Sequence, residues 1–312
     1  MLVKPSFYDF FKCKADKCSD SCCIGWEIDV DNITYKKYCD VKGVFGNELR
    51  NAISYDGEYY SFNLDENERC PFLDDNNLCR IYANLGEDCL CDICAEHPRF
   101  YNYIGDVEEC GIGLCCEKVC ELLFDDDYEL TFSYDGIADY EASEFIKLQN
   151  EFFEIISAED GDIFGKMKII SDYAAELENR ENNIDFSDKE IVKKIVSVFS
   201  ETEPINDEWS QYINSLSASV DSLLFEGTDN KNYNKLLMYI IYRHLQNAFY
   251  DDEYYLWTVF CCVNLVFVLL SNCFDNDVGD TDFNNMIINV KRWSKQIEYS
   301  TENIDMIKSA FN

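Results

Sequence analysis

The chain has 312 residues, of which 47% are hydrophobic and 15% aromatic, so it can build a substantial folded core and disorder is not expected. Its 61 Asp and Glu residues outnumber 26 Lys and Arg residues, which gives a formal net charge of −35. This charge repels phosphate backbones and anionic lipid headgroups, so we expect no nucleic-acid partner and no membrane partner. It could attract a basic protein or a lysine-bearing substrate, but a solvated acidic surface is the simpler interpretation.

The first residues do not resemble a secretory signal peptide, because Pro5 and Asp9 interrupt the short apolar stretch. The chain contains 17 cysteines, and an odd number without a leader is more typical of a reducing compartment than of a disulfide framework. We therefore expect a cytoplasmic protein in which clustered thiols bind metal. A disulfide-bonded interaction protein, with paired cysteines and no metal, is an alternative.

Fourteen of the cysteines lie between Cys13 and Cys120, so the chain has a cysteine-rich first part and a second part with few cysteines. Prolines and short polar breaks in this region predict short helices, loops and one strand around Tyr59 to Leu64. From about Asp139 onward, apolar residues recur at helical spacing, which predicts a helical bundle. We therefore predict a mainly α fold in which a cysteine-rich lobe at residues 1–125 packs on a helical lobe at residues 139–312.

The helical lobe is predicted to contain a series of helices with apolar faces. Ser187 and Glu190 fit a capping box. In this motif the Ser187 hydroxyl accepts a hydrogen bond from the N–H of Glu190, and the Glu190 side chain accepts one from the N–H of Ser187. The stretch from Tyr254 to Phe274 has 21 residues without a charge, enough to cross a membrane. Because its flanks are acidic and have no nearby Lys or Arg, we predict a buried bundle helix instead. The predicted helices cover residues 141–158, 162–178, 208–225, 232–250, 252–274, 283–298 and 302–310, with one more after the capping box.

The cysteines of the first lobe fall into groups whose spacing suits a metal or iron–sulfur centre. The groups are Cys13-x4-Cys18-x3-Cys22-Cys23, then Cys70 with Cys79, then Cys89-x-Cys91-x2-Cys94, and finally Cys110, Cys115, Cys116 and Cys120. Thiolates are ligands of zinc and of iron–sulfur clusters. More thiols are present than one four-coordinate site needs, so several are expected to pack as small apolar side chains.

Histidine and arginine residues near these groups are further candidate site residues. His97 has ligand spacing from Cys94, but we prefer a structural role because thiolates are plentiful; His244 is expected in the core or at the surface. Arg80 and Arg99 follow cysteines closely and could hold a substrate carboxylate or balance a thiolate centre, although ordinary salt bridges are an equal alternative. No P-loop or complete dinucleotide-binding motif occurs, so nucleotide binding is not expected.

A set of motifs in the cysteine-rich lobe occurs in the order found in a known family. They are Phe11-x-Cys13, Cys18-x3-Cys22-Cys23-x-Gly25-Trp26-x-Ile28, Cys70-Pro71-Phe72-Leu73, Cys79-Arg80-Ile81, Leu85-Gly86-Glu87, Cys94-x2-His97-Pro98-Arg99 and Gly113-Leu114-x-Cys116-Glu117. Through them, residues 7 to 123 resemble the flagellin lysine N-methylase family, within a cysteine-rich grouping described as zinc- or iron-chelating. His97 stands where the family usually has Tyr.

The resemblance implies an enzyme that transfers a methyl group from S-adenosylmethionine to lysine side chains of flagellin and carries an iron–sulfur cluster, of the 4Fe-4S type, with zinc as the alternative. It makes eight cysteines the best ligand candidates: Cys13, Cys18, Cys22, Cys23, Cys70, Cys79, Cys94 and Cys116. Cys39, Cys89, Cys91, Cys110, Cys115 and Cys120 become less favoured. A lysine with an ordinary pKa of about 10.4 must lose its proton before it attacks, but the sequence identifies no base. A non-catalytic zinc- or iron-binding protein or adaptor is the second hypothesis.

Overall fold

The computed structural model describes residues 1–223, 231–275 and 283–312, which form two compact units. The helical unit contains Met1–Phe11, Tyr101–Cys115 and the described residues from Val119 onward. The cysteine-rich unit contains Lys12–Phe100 and Cys116–Lys118. These units differ from the predicted lobes at 1–125 and 139–312, because the first strand of the chain pairs with strands that belong to the helical unit.

The strands of the described residues form two sheets. They are β1 (Leu2–Pro5), β2 (Asp29–Val30), β3 (Ile53–Tyr55), β4 (Tyr60–Phe62), β5 (Arg99–Ile104), β6 (Val107–Ile112) and β7 (Phe132–Asp135). A four-stranded sheet has the order β5-β6-β1-β7, in which β1 runs parallel to β6 and antiparallel to β7. A small sheet of the cysteine-rich unit has the order β2-β4-β3, with antiparallel pairs.

The strand predicted near Tyr59 to Leu64 is confirmed as β4, but the four-stranded sheet was not predicted. Its pairing joins residues more than a hundred positions apart, such as Leu2 with Glu108 and Val3 with Tyr134. Strands as short as β1 give no reliable periodic pattern, and such long-range pairing is decided by tertiary contacts.

The described residues are mainly helical, as predicted. The helices are α1 (Asn32–Asp40), α2 (Gly43–Asn51), α3 (Arg80–Leu85), α4 (Asp92–Glu96), α5 (Glu117–Leu123), α6 (Tyr140–Ser157), α7 (Ile163–Leu177), α8 (Lys189–Ser200), α9 (Asp207–Ser219), α10 (Lys231–His244), α11 (Ala248–Asp251), α12 (Tyr254–Asp275), α13 (Phe283–Ile297) and α14 (Thr301–Ala310). The helices predicted from residue 141 onward are confirmed within two residues at each end, except that the one predicted at 208–225 ends at Ser219 and the one predicted at 232–250 divides into α10 and α11. The last two residues of the predicted helix at 208–225 lie outside the described residues.

The capping box predicted at the start of α8 is wrong, because the N-cap is Asp188 and not Ser187. The carboxylate of Asp188 accepts hydrogen bonds from the backbone N–H groups of Glu190 and Ile191 at 2.8 and 3.3 Å. The Ser187 hydroxyl instead donates to Asp185 at 2.6 Å. Aspartate and serine are both good N-caps, so the choice depends on where the chain turns into the helix.

Helix α12 lies at the centre of the helical unit. By length and composition it could cross a membrane, but 94% of its most apolar stretch is buried inside the protein. Its neighbours include α7, α10 and α13, and Phe267 on α12 stacks on Phe199 of α8 with ring centroids 4.0 Å apart. The predicted burial of this segment within the bundle is confirmed.

Candidate metal centre

Six cysteines gather in the core of the cysteine-rich unit, and we call this group the thiol cluster. Its members are Cys23, Cys70, Cys79, Cys89, Cys91 and Cys94. Cys70 and Cys91 are buried and the other four are partly buried. The surrounding side chains are apolar and include Phe62, Phe72 and Ile81. Cysteines that are far apart in the sequence therefore share one water-poor environment.

Backbone pairing brings the first half of the thiol cluster together. The N–H of Cys70 donates to the carbonyl of Cys23 at 2.9 Å, and Ile24 forms a β-bridge with Arg69. Cys79 follows a tight turn and caps α3, where its sulfur accepts a hydrogen bond from the N–H of Tyr82 at 3.5 Å. The turn that contains Asp74 and Asp75 pairs Leu73 with Cys79 in a β-bridge and so returns Cys79 to the neighbourhood of Cys70.

A second turn supplies Cys89, Cys91 and Cys94. The Tyr38 hydroxyl donates to the carbonyl of Cys89 at 2.7 Å, and the N–H of Asp92 donates to the Asp31 carboxylate at 3.1 Å. Because Cys91 immediately precedes the short helix α4, its side chain and that of Cys94 lie on the same side. Their sulfur atoms are 3.2 Å apart.

The crowding of these thiols changes their acidity. Burial, together with the neighbouring Cys79 and Cys91, raises the pKa of Cys70 to about 11. The hydrogen bond with Cys91, burial and further thiols raise the pKa of Cys94. A bound cation reverses this effect, because it stabilises several thiolates at once. The donor chemistry of the thiol cluster therefore fits a soft metal ion or an iron–sulfur cluster.

The eight cysteines favoured by the family resemblance do not form one group. Four of them, Cys23, Cys70, Cys79 and Cys94, belong to the thiol cluster. Cys22 is next to this cluster in the chain, and a hydrogen bond with Cys23 together with burial raises its pKa. Within residues 1–223, 231–275 and 283–312, no three His, Cys, Asp or Glu side chains converge in an arrangement that would hold a metal ion.

The other three favoured cysteines, Cys13, Cys18 and Cys116, lie in segments joined through Glu117. The Glu117 carboxylate forms an ion pair with Lys14, and it accepts a hydrogen bond from the N–H of Ser19 at 3.0 Å. Although burial opposes ionisation, the bonds from Lys14 and Ser19 lower the pKa of Glu117 to about 2. This arrangement brings the segment from Cys13 to Ser19 and the Cys116–Glu117 pair into one region of the cysteine-rich unit.

Cys89 and Cys91 were less favoured from the sequence, yet the structure places both in the thiol cluster. The sequence signal that could have identified them is the close spacing Cys89-x-Cys91-x2-Cys94. Of the remaining less favoured cysteines, Cys39 is exposed, whereas Cys110, Cys115 and Cys120 are buried in the helical unit. The structure contains no disulfide among the described residues, which include every cysteine.

The predicted arginine and histidine positions have structural partners. Arg80 pairs with Glu48 at 2.5 Å, and its guanidinium lies 5.5 Å from the centre of the Phe45 ring. Arg99 is partly buried at the start of β5. His97 lies beside Trp26, with ring centroids 6.3 Å apart.

His244 lies in the core, which is one of the two places expected for it. It belongs to a polar network of the helical unit that the sequence did not reveal. Its Nε2 lies 3.0 Å from Glu298, and Arg243 pairs with the same carboxylate at 3.2 Å. Burial lowers the pKa of His244, although Glu298 partly opposes this effect.

These features describe a mainly helical, cysteine-rich protein in which six thiols share one core. Over 133 residues the chain is 30% identical to the flagellar biosynthetic protein FliU of Salmonella muenchen, a match that covers 40% of this chain and 78% of that protein. It is 29% identical to lysine-N-methylases of Salmonella choleraesuis and Salmonella typhimurium over 145 and 140 residues. Each of these matches covers 42% of this chain and 34% of the methylase.

No protein-family model matches the chain. No solved structure matches it either. The similarity to FliU extends over most of that protein, and the chain is almost equally identical in sequence to the two methylases. The chain belongs to the flagellin lysine N-methylase family, and it spans about a third of the length of the two methylases that it matches.

Proposed function

We propose that this protein is a flagellin lysine N-methyltransferase that uses S-adenosylmethionine and carries a cysteine-ligated iron–sulfur cluster. The observation that carries the proposal is the family relationship, in which two relatives are named lysine-N-methylase and one is named a flagellar biosynthetic protein. The thiol cluster supports the cofactor, because it gathers the ligands that iron–sulfur clusters use.

In the proposed reaction, the lysine ammonium first loses a proton to a base. The lone pair of Nζ then attacks the methyl carbon of the sulfonium donor, and the bond between that carbon and sulfur breaks. The products are methyl-lysine and S-adenosylhomocysteine. An ordinary lysine pKa of about 10.4 leaves little free amine at neutral pH, so the active site must remove the proton or desolvate the ammonium.

The cluster is proposed to be held by Cys70, Cys79, Cys91 and Cys94, all of which lie in the thiol cluster. Cys13, Cys18, Cys22, Cys23 and Cys116 remain ligand candidates through the family resemblance. When bound, an iron–sulfur cluster supplies an iron that can bind amino and carboxylate groups or exchange an electron. Zinc is the alternative metal, since four thiolates also suit its tetrahedral coordination.

The test combines cofactor analysis with a transfer assay. Protein purified without oxygen is analysed for iron, sulfide and zinc and by its visible spectrum, then incubated with labelled S-adenosylmethionine and flagellin. The proposal expects iron with sulfide and label on flagellin lysines. Stoichiometric zinc without sulfide would exclude the cluster, and intact cofactor without labelled lysine would exclude the transferase.

A second candidate is a non-catalytic metal-binding protein or adaptor. The observation in its favour is that the match covers only 34% of each of the two methylases. It predicts bound metal and flagellin binding without methyl transfer, so the same assay separates the two functions. For either function we propose a cytoplasmic location, because thiols that bind metal are maintained in a reducing compartment.

A further inference from the structure

The turn that carries Cys91 and Cys94 is held by helix α1 of the same unit. We call residues 88–94 the thiol turn, because it supplies three of the six members of the thiol cluster. Three side chains from α1 and its N-cap bond to the backbone of this turn, at sequence separations of 51 to 61 residues. The thiol turn is therefore fixed by a distant part of the chain and not only by its own short helix.

Tyr38 and Lys37 bond to the first part of the thiol turn. The Tyr38 hydroxyl donates to the carbonyl of Cys89, and the Lys37 ammonium donates to the carbonyl of Asp88, both at 2.7 Å. Tyr38 is completely buried, so water does not compete for its hydroxyl, whereas Lys37 is exposed. Burial and neighbouring thiols such as Cys91 raise the pKa of Tyr38, so its hydroxyl keeps its proton and remains a donor.

Asp31 bonds to the other end of this segment while it also begins α1. Its Oδ1 accepts hydrogen bonds from the N–H groups of Ile33 and Thr34 at 3.1 and 2.8 Å, which makes it the N-cap of α1. Its Oδ2 accepts from the N–H of Asp92 at 3.1 Å. An N–H in the first turn of a helix such as α4 has no acceptor within that helix. The backbone is thus held on both sides of Cys91.

Helix α1 is itself supported by contacts outside the thiol cluster. The Arg50 guanidinium, from α2, donates to the carbonyls of Tyr38, Cys39 and Val41 at 3.2, 3.2 and 3.0 Å and so caps the C-terminal end of α1. The ring of Tyr38 packs against Phe62, with ring centroids 6.2 Å apart. A support of this kind holds ligands in place before the metal arrives, so that less conformational freedom is lost on binding.

We propose that Tyr38 and Asp31 are positioning residues that hold the thiol turn in its metal-binding arrangement. This proposal rests on the metal centre of the proposed function, but not on methyl transfer. Neither side chain is a ligand, because each acts through the backbone beside Cys91. Without these bonds the metal itself must order the turn, so it binds more weakly and leaves faster.

A purely structural role predicts a different result. If the two bonds only stabilise the cysteine-rich unit, their removal lowers the free energy of unfolding, and other variants of equal stability should bind metal equally well. Positioning residues instead predict a loss of metal affinity that exceeds what the change in stability explains.

The test uses the full-length protein with cobalt(II) as the probe metal, because cobalt–thiolate absorption bands report the number and arrangement of the thiolate ligands. Tyr38→Phe removes one hydroxyl and keeps the ring. In Asp31→Asn, asparagine remains a good N-cap, but with its oxygen at the cap its NH₂ group cannot accept from Asp92. We expect each variant to bind cobalt roughly tenfold more weakly than the wild type, and to release it faster to a chelator, as substitutions around metal ligands commonly do.

Each variant has a matched control in a turn of the same unit. Tyr55→Phe removes a hydroxyl that donates to the carbonyl of Gly57 at 2.7 Å. Asp56→Asn changes a carboxylate that accepts from the N–H groups of Glu58 and Tyr59, both at 2.8 Å. These controls repeat the two substitutions away from the thiol turn, so they should leave the affinity for cobalt unchanged.

Urea unfolding of every variant separates positioning from stability. Ile53→Val, at a partly buried residue of β3 whose side chain forms no hydrogen bond, lowers the stability of the same unit. If Ile53→Val and Tyr38→Phe weaken cobalt binding equally for an equal loss of stability, the Tyr38 bond is only structural and the proposal is overturned. Unchanged affinity in both Tyr38→Phe and Asp31→Asn would overturn it as well.

Failure of the proposed function would appear in the wild-type protein. A wild type that binds cobalt but does not label flagellin excludes the transferase, while weaker cobalt binding by Tyr38→Phe would still support the positioning role. Purified protein with zinc and no sulfide likewise excludes the iron–sulfur cluster alone. A wild type without cobalt–thiolate bands would exclude the metal centre and the positioning role together.

Discussion

The sulfur atoms of Cys91 and Cys94 lie 3.2 Å apart in a turn that begins helix α4. Both thiols face the core of the cysteine-rich unit together with Cys23, Cys70, Cys79 and Cys89. The hydrogen bond between them lowers the pKa of Cys91 and raises that of Cys94. Two such thiols can bind one metal centre once both are deprotonated.

The first prediction is that Cys91→Ser and Cys94→Ser each release most of the bound metal. A serine hydroxyl is not deprotonated near neutral pH and is a poor ligand for soft metals. Iron and zinc analysis of purified variants measures the effect. Cys39→Ser, at an exposed thiol outside the cluster, is the control and should keep its metal. Full metal retention in Cys91→Ser, with loss in Cys13→Ser, would instead favour the ligand set derived from the family.

The second prediction concerns Glu109 on β6, which is completely buried. Burial raises its pKa to about 8, although Asn102 and Gln149 oppose this. One of its oxygens and both polar atoms of the Gln149 amide have no hydrogen bond of good geometry within the described residues. The unfolded chain releases this proton near pH 4.5, whereas the folded protein keeps it until about pH 8. Glu109 therefore lowers the free energy of unfolding as pH rises through this range.

Glu109→Gln should remove this pH dependence and stabilise the protein by about 3 to 5 kcal/mol at pH 8, relative to its effect at pH 4. Urea denaturation at several pH values measures the difference. Glu144→Gln, on the exposed face of α6, should leave the pH profile unchanged. A profile for Glu109→Gln that runs parallel to that of the wild type would contradict the raised pKa.

The third prediction concerns the buried pairing of Glu298 with Arg243 and His244. Although burial opposes ionisation, these partners hold the pKa of Glu298 below its usual range. Removing its charge deprives the buried Arg243 of this counterion, so Glu298→Gln should cost about 3 to 5 kcal/mol. Urea unfolding followed by tryptophan fluorescence measures this loss. Glu154→Gln, an exposed acid on α6, should cost little.

The same network predicts an acid-side loss of stability. Below pH 6.5 the unfolded chain protonates His244 more readily than the folded protein does, so the free energy of unfolding falls. Below about pH 4.5 the unfolded chain also takes up a proton on Glu298, which lowers the free energy of unfolding further. His244→Gln should flatten the profile between pH 5 and 6.5, and an unchanged slope there would contradict the lowered histidine pKa.

The fourth prediction tests the N-cap of α8. Asp188→Ala removes two hydrogen bonds to the first turn and should destabilise the helical unit by about 1 kcal/mol. Ser187→Ala removes only a bond to Asp185, so its effect should be clearly smaller. Thermal unfolding of both variants compares the two residues directly. A larger loss in Ser187→Ala would restore the capping box suggested by the sequence.

The sequence predicted the helices from residue 141 onward because their apolar residues recur at helical spacing and long helices are specified locally. It also predicted that the segment from Tyr254 is buried, since its flanks carry only acidic charge. It did not predict the sheet of β1, β5, β6 and β7, whose pairing joins distant parts of the chain. The unit boundaries depend on that pairing, so they too could not be read from composition.

For the candidate site, the sequence by itself determined that the chain is rich in thiols and that its motifs belong to a family of lysine methylases. Only the tertiary structure decided that Cys89, Cys91 and Cys94 lie beside Cys70 and Cys79, and that the segment from Cys13 to Ser19 lies beside Cys116 and Glu117. It also placed Tyr38 and Asp31 against the thiol turn. Spacing along the chain determines which residues share a turn, whereas turns come together only when the core between them packs.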